Sequence, residues 1–257
     1  MGIPHYDVGC AKIEEPIIVK GCVWMRRMLA ISDIHGDLDK FERLLELVKY
    51  NDQADQLLLL GDYVDRGPHS RAVLDRVIEL RDKGAIALIG NHEKMMMEAF
   101  RADSMSVKRW FYNGGIKTLQ NYGYHIEKDD AKYWYTTEEM PNLLQINKEI
   151  QQHLEILKEF PYYYETDTHI FVHAGVHPET PLESTDPHLL VWIREEFHNG
   201  YTGHKTVVFG HTPTKYLHKS NEVYFGKNNI IGIDGGCAYG GRLYCLDATN
   251  SQIYYVE

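Results

Sequence analysis

Apolar runs alternate with amphipathic segments between residues 28 and 89. The runs cover 28–32, 56–60 and 85–89, and each has the length of a buried strand. In the first intervening segment the apolar side chains recur at helical spacing, as Leu38, Phe41, Leu45 and Val48. In the second segment they recur as Val73, Leu74, Val77 and Ile78. The pattern predicts an α/β fold in which two crossover helices join three parallel strands.

The pattern changes after residue 92. Residues 92–160 look helical and irregular, with breaks at 113–115 and 121–123, and they form either a cap over a substrate groove or a flank of helices on the sheet. In the last third we expect strands at 169–173, 206–210, 222–225, 229–234, 242–247 and 252–256. Several of these have hairpin spacing, which predicts a mixed second sheet.

The length of 257 residues suits one domain. Residues 1–27 show no clear periodicity, so we expect an N-terminal extension followed by a single domain at 28–257. The 44% hydrophobic and 25% charged residues are typical of a globular protein.

A net charge of -10 argues against binding to a nucleic-acid polymer or an anionic membrane, which would need clustered cations. The apolar stretches are shorter than the roughly 18 residues of a membrane span. The four cysteines form no C-x-x-C pair, and no secretory signal is apparent, so we expect reduced thiols and a cytoplasmic protein.

Polar side chains follow five of the predicted strands, at the point where each strand ends. The carboxyl ends of parallel strands meet over one crevice, so we expect these side chains to lie together. They are Asp33, His35, Asp62, Asn91, His92, His173 and His211. Carboxylate, imidazole and amide groups favour Mn, Fe or Zn over thiophilic metals. Seven such groups exceed the four or so that one ion requires, which indicates two ions.

The strand-end segments resemble the motifs of the metallophosphoesterase superfamily, specifically its PPP-type phosphoprotein phosphatases of the bacterial and phage-like branch. The matching segments run from Ser32 to Gly36, from Gly61 to Gly67, from Gly90 to Glu93, from His173 to Gly175 and from Gly210 to Thr212. Ser32 is the one departure, because the family has glycine there. That position holds no ligand in the family, so we expect only a backbone adjustment.

The resemblance implies a calcineurin-like sandwich of two mixed β-sheets flanked by helices, with a helical insert. It also implies two divalent ions, with Mn expected and Fe or Zn as alternatives, that hold the attacking hydroxide between them. The first ion would be bound by Asp33, His35 and Asp62. The second would be bound by Asp62, Asn91, His173 and His211.

Further roles are implied by the same resemblance. His92 would be the general acid, and Asp65 would orient its ring. Arg66 and Arg194 would bind the substrate phosphate, together with Asn91. The alternative for Arg194 is a helix-surface residue beside Glu195. The loop 234–242 is expected to be supporting architecture.

Three functions are compatible with this site. The expected one is a phosphomonoesterase that acts on phosphoserine and phosphothreonine proteins, with phosphotyrosine as a further substrate. The main alternative is a symmetrical dinucleoside polyphosphate hydrolase, and Glu93 favours the phosphatase because those hydrolases more often have aspartate there. A non-enzymatic metal-dependent binding module is the third.

Two other enzyme classes fit poorly. Nucleases and phosphodiesterases of the superfamily usually carry a second histidine after the last motif, whereas Thr212 and Pro213 follow His211 here. A cysteine-dependent phosphatase needs five residues between its cysteine and arginine, and four separate Cys237 from Arg242.

Overall fold

The computed structural model describes residues 18–19, 22–23, 26–101, 104–126 and 146–257. Strands β1 (Ile18–Val19) and β2 (Cys22–Val23) pair with each other antiparallel. Strands β3 (Arg27–Ile31), β4 (Asp55–Leu59) and β5 (Ile86–Ala87) form the parallel centre of the first sheet. This confirms the three parallel strands that the apolar runs predicted.

The second sheet contains β6 (Tyr163–Glu165), β7 (His169–Val172), β8 (Thr206–Phe209), β9 (Tyr224–Phe225) and β10 (Ile230–Gly232), in the order β6-β7-β8-β10-β9. Its three middle strands are parallel and its two edge strands are antiparallel, as expected for a mixed sheet. Strand β6 was not predicted, because its three residues give too short a pattern.

The last two strands, β11 (Leu243–Asp247) and β12 (Gln252–Val256), belong to the first sheet, where β11 pairs antiparallel with β3. The first sheet is therefore also mixed. Hairpin spacing predicts that β11 and β12 pair with each other, but it carries no information about which sheet edge receives the hairpin. In the folded protein the hairpin lies at the edge of β3 that β4 does not occupy.

Helices cover both outer faces. They are α1 (Leu38–Leu47), α2 (Ser70–Asp82), α3 (Asn91–Ala99), α4 (Ser104–Tyr112), α5 (Gly115–Asn121), α6 (Lys148–Leu157), α7 (Pro187–Trp192) and α8 (Glu195–Gly200). The first two are the predicted crossovers. In the helical section, α4 ends before Asn113 and α5 ends before Tyr122, as predicted, and residues 127–145 lie outside the described ranges.

Side chains along each strand alternate between its two faces, so the buried residues form three layers. Leu29 and Ile31 of β3 pack against the helices of the first sheet, whereas Ala30 between them faces the second sheet. The contact between the sheets includes Phe171 and Val208 from the second sheet. Because successive side chains of a strand point to opposite faces, a strand covered on both faces is a continuous apolar run.

The described part of the helical section packs on the first sheet. Trp110, Phe111, Leu119 and Leu157 belong to the same buried cluster as the helix-facing side of that sheet. This supports the interpretation of a helical flank. Within the described ranges, every helix is too short or too polar to cross a membrane.

Candidate metal centre

The structure brings all seven predicted strand-end side chains into one buried site. They come from the carboxyl ends of β3, β4 and β5 in the first sheet and of β7 and β8 in the second, and none is more than 6% exposed. Contact between the loops is close. A Cβ atom on Gly90 would lie 2.4 Å from Oδ1 of Asp62, so only glycine fits there.

The backbone of the site is unusual. In the described ranges nine residues other than glycine have a positive φ, and six of them are site residues: Asp33, His35, Asp62, Asp65, Arg66 and His211. Such conformations cost about 1–3 kcal/mol each and persist where surrounding contacts impose them. The fold therefore holds these side chains in orientations that relaxed loops would not keep.

At one end of the site, nitrogen and oxygen atoms that can bind a metal lie close together. Nδ1 of His173 lies 2.8 Å from the carbonyl oxygen of Leu60, which can only accept, so the lone pair is on Nε2. That nitrogen lies 2.8 Å from Oδ1 of Asn91 and 3.3 Å from Oδ1 of Asp62. Nδ1 of His211 is also 2.8 Å from Oδ1 of Asn91. A bound cation would satisfy the acceptors Nε2 of His173, Oδ1 of Asn91 and Oδ1 of Asp62.

The other end has a similar arrangement around His35. Its Nδ1 lies 2.9 Å from the carbonyl of Val64, which places the lone pair on Nε2; a metal bound there would replace the contact that Arg66 makes with this nitrogen. Nε2 lies 3.6 Å from Oδ2 of Asp62 and 3.9 Å from Oδ1 of Asp33. Nε2 of His92 is 3.8 Å from the same oxygen of Asp62. Asp62 therefore lies between both groups, with one oxygen towards each.

The charges of the site fit divalent cations. Burial lowers the pKa of His35, His92, His173 and His211, which keeps these rings neutral and able to act as ligands. Burial and the nearby charge of Asp33 raise the pKa of both Asp62 and Asp234. Buried like charges of this kind are costly unless a counter-charge is present. Together with the converging oxygen and nitrogen atoms, this indicates that the site accommodates metal ions.

His92 and Asp65 form a buried pair. Nδ1 of His92 lies 2.6 Å from Oδ2 of Asp65. The indole Nε1 of Trp110 is 3.0 Å from both oxygens of Asp65, and the hydroxyl of Thr118 donates to Oδ1 at 2.6 Å. Sequence reasoning missed Trp110 and Thr118, which are 45 and 53 residues from Asp65 along the chain. No local pattern connects them to the site.

Glu93 lies behind the site. Its carboxylate is fully buried and accepts hydrogen bonds from the backbone N–H groups of Asp62, Tyr63, Val64 and Gly90, at 2.7–3.2 Å. It therefore holds the loop that carries Asp62. Because Glu93 is buried, the preference for a phosphatase that its identity suggested stays a prediction.

Both predicted arginines point towards the site. The guanidinium of Arg66 lies 2.5 Å from Nε2 of His35 and 2.8 Å from Nε2 of His92. Arg194 donates to the hydroxyl of Thr212 at 2.9 Å, next to His211. Neither has a carboxylate partner within the described ranges. Arg194 is exposed at the N-cap of α8, directly before Glu195, so its role in phosphate binding stays a prediction.

An aromatic ring at the rim completes the site. Tyr239 is 59% exposed, and the guanidinium carbon of Arg66 lies 5.2 Å from its ring centre. The ammonium of Lys215 lies 5.3 Å from the same centre. The loop 234–242, expected to be supporting architecture, therefore also contributes an exposed ring beside the predicted phosphate-binding arginine. We call Arg66, Lys215 and Tyr239 the rim cluster.

Comparison with known proteins gives a consistent family assignment. A model of the calcineurin-like phosphoesterase family matches residues 26–240. Serine/threonine-protein phosphatase 1 of Salmonella typhimurium is 28% identical over 223 residues, covering 85% of this chain and 90% of the relative. An asymmetrical bis(5'-nucleosyl)-tetraphosphatase, PrpE of Bacillus thuringiensis, is 28% identical over 229 residues and covers 84% and 88%.

The fold comparison agrees. A crystal structure described as a candidate diadenosine tetraphosphatase superposes with a TM-score of 0.62 at 23% identity, covering 90% of this chain and 93% of that one. At this identity the likeness concerns the fold. It confirms the predicted sandwich of two mixed sheets flanked by helices.

Proposed function

Because this chain belongs to the calcineurin-like phosphoesterase family, we propose that it is a two-metal phosphatase that hydrolyses phosphoserine and phosphothreonine in proteins. The observation that carries the proposal is the buried His92–Asp65 pair beside two groups of converging metal-ligand atoms. A binding module without catalysis would have no use for a buried imidazole–carboxylate pair next to a metal site.

Six side chains would hold the metals. Asp33, His35 and Asp62 would bind one ion, and Asp62, Asn91, His173 and His211 the other, with manganese expected and iron or zinc as alternatives. When bound, such ions supply an activated water and positive charge for the phosphoryl oxygens. Asp62 is suited to the shared position because one of its oxygens is near His35 and the other is near His173.

The remaining residues would act on the phosphate and on the leaving oxygen. Arg66 and Arg194 would bind phosphate oxygens, with the amide of Asn91, and His92 would donate a proton from Nε2. Arg66 now donates to that nitrogen at 2.8 Å, so it must leave Nε2 before His92 can carry a proton there. Binding of Arg66 to a substrate phosphate would release Nε2 of His92 for its role as general acid.

The choice of protein substrate is supported by the Salmonella relative, which is a serine/threonine-protein phosphatase. Trp110 and Thr118 strengthen the case for a basic leaving group, because two donors besides His92 hold Asp65 in place. Serine and threonine alkoxides need a proton on departure more than phenolates do.

A second candidate is a dinucleoside polyphosphate hydrolase, which is favoured by the rim cluster. An exposed ring with two cations near its face could stack a base while the cations contact further phosphates. The Bacillus relative is named as an asymmetrical enzyme, whereas the alternative considered from the sequence motifs is a symmetrical hydrolase. The products of diadenosine tetraphosphate separate the two modes, because symmetrical cleavage yields two ADP and asymmetrical cleavage yields ATP and AMP.

The test begins with metal removal. We expect a chelator to abolish hydrolysis of p-nitrophenyl phosphate and manganese to restore it. Activity that persists after verified metal removal would refute the proposal. The restored enzyme is then compared on phosphoserine, phosphothreonine and phosphotyrosine peptides and on diadenosine tetraphosphate. A higher kcat/KM on the first two peptides supports the phosphatase, and a higher value on the dinucleotide supports the second candidate.

A further inference from the structure

Ser32 is the one motif position that departs from the family pattern, and its side chain makes a hydrogen bond within the site. It directly follows β3 and is only 2% exposed. Its hydroxyl lies 2.5 Å from Oδ2 of Asp33 and donates to that oxygen, since an ionised carboxylate can only accept. The backbone adjustment expected from the sequence is therefore accompanied by a new hydrogen bond.

Oδ2 of Asp33 has a second donor. The backbone N–H of His211 lies 2.9 Å from it, so two donors occupy the same carboxylate oxygen. The other oxygen, Oδ1, lies 3.9 Å from Nε2 of His35. The two hydrogen bonds thus fix the rotation of the carboxylate and leave Oδ1 towards His35.

The hydroxyl is enclosed as well as bonded. A Cβ atom on Gly210 would lie 2.0 Å from Oγ of Ser32 and 2.1 Å from Oδ2 of Asp33, so the missing side chain of Gly210 makes room for both groups. Little solvent reaches the bond to compete with it, and a hydrogen bond to a charged group in such surroundings is stronger than one in water.

We propose that Ser32 is a positioning residue that sets how tightly the Asp33–His35–Asp62 end of the site binds a divalent cation. The inference rests on the proposed two-metal centre. Two effects of the hydroxyl oppose each other: it draws charge from the ligand, which weakens binding, and it holds Oδ1 in place, which strengthens binding. Partners of metal ligands usually act in the second sense, and their removal costs about 10–100-fold in metal affinity.

The hydroxyl acts directly on a ligand of one ion. Ser32 contacts Asp33, and no hydrogen bond of Ser32 within the described ranges reaches Asn91, His173 or His211. We therefore expect loss of the hydroxyl to weaken one of two manganese-binding steps by about tenfold, at the lower end of that range, and to leave the other nearly unchanged.

The test measures manganese binding to the metal-free full-length protein by calorimetry and by electron paramagnetic resonance of the free ion. Ser32→Ala removes the hydroxyl and keeps Cβ, whereas Ser32→Gly restores the residue of the family motif. The control is Thr214→Val, which removes a hydroxyl that is fully buried and has no hydrogen-bond partner in the described ranges. Thermal unfolding of each metal-free protein checks the fold.

We expect wild type and Thr214→Val to bind two manganese ions alike, and both Ser32 variants to show one step weakened about tenfold. If Ser32→Ala cannot be purified folded, Ser32→Gly decides the question. Two binding steps equal to those of wild type in the Ser32 variants would overturn the role of Ser32 and leave the two-metal centre intact. A wild-type protein that binds no manganese would overturn the two-metal centre, and this inference with it.

Discussion

Nδ1 of His92 lies 2.6 Å from Oδ2 of Asp65, in a pair that is almost completely buried. Burial raises the pKa of Asp65 to about 7, and the hydrogen bonds from Thr118 and Trp110 oppose that shift. The two hydrogen bonds favour the ionised carboxylate, which can accept from Nδ1 of His92 and so direct Nε2 towards the proposed leaving group.

The first prediction concerns His92 itself. His92→Ala removes the proposed proton donor, so turnover of p-nitrophenyl phosphate should fall at least ~100-fold. The loss should be larger on a phosphoserine peptide, whose leaving oxygen is more basic. Manganese content and the melting temperature should remain close to those of wild type. His125→Ala, at an exposed histidine, is the control. Equal losses of turnover on the two substrates would contradict the role of His92 as general acid.

Trp110→Phe tests whether the indole hydrogen bond to Asp65 contributes to turnover. It keeps an aromatic ring but removes the N–H that lies 3.0 Å from both carboxylate oxygens. We expect turnover to fall about tenfold, because a hydrogen bond to a buried charged group contributes about 1.5–3 kcal/mol. Tyr112→Phe, at a highly exposed residue of the same helix, should behave as wild type. A changed manganese affinity in Trp110→Phe would point instead to general damage of the site.

Glu93→Asp should lower both the stability of the fold and the affinity for metal. The shorter side chain cannot reach all four backbone N–H groups that Glu93 binds, and buried N–H groups would lose their acceptor. We expect the free energy of unfolding to fall by about 2–4 kcal/mol in urea titrations. Glu155→Asp, in an exposed ion pair with Lys158, should change it by less than about 0.5 kcal/mol. A stable Glu93→Asp protein would show that these bonds are dispensable.

His198, which is not a proposed metal ligand, gives the stability of the protein a pH dependence. Its ring lies 5.3 Å from that of Phe209, its Nε2 is buried without a partner in the described ranges, and burial lowers its pKa from 6.5 to about 4. Between these values the unfolded chain binds a proton that the folded protein does not. The stability due to His198 is therefore present above about pH 6.5 and is lost as the pH falls towards 4.

The measurement compares wild type with His198→Gln by urea unfolding at pH 7.5 and pH 5. Other titrating groups are common to both proteins, so their effects cancel in the difference. Wild type should lose more stability on acidification than the variant. Parallel losses would mean that His198 is protonated in the folded state.

The rim cluster predicts substrate selectivity. Lys215→Ala removes a cation whose ammonium lies 5.3 Å from the centre of the Tyr239 ring. If the second candidate function holds, kcat/KM on diadenosine tetraphosphate should fall about fivefold relative to p-nitrophenyl phosphate, in line with an exposed ionic contact. Lys219→Ala, at another exposed lysine nearby in the chain, is the control. An unchanged ratio would count against a dinucleotide that extends over the rim.

The sequence alone determined the parallel strands and the side chains that follow them. This was possible because a strand buried on both faces is a continuous apolar run, and its end is marked by an abrupt change to Asp, His or Asn. The convergence of Asp33, Asp62 and Asn91 follows from one further rule, that parallel strands end at the same edge.

Only the tertiary structure decided what surrounds those side chains. Trp110 and Thr118 reach Asp65 from a helical section whose own pattern indicates nothing beyond amphipathic helices. Ser32 and Gly210 are far apart in sequence, yet the hydroxyl of Ser32 occupies the space that a side chain on Gly210 would need. Strand β11 pairs with β3, and the spacing of β11 and β12 does not indicate that partner. Such contacts depend on distances of a few tenths of an ångström between distant segments, and residue types and spacing along the chain do not encode distances of that kind.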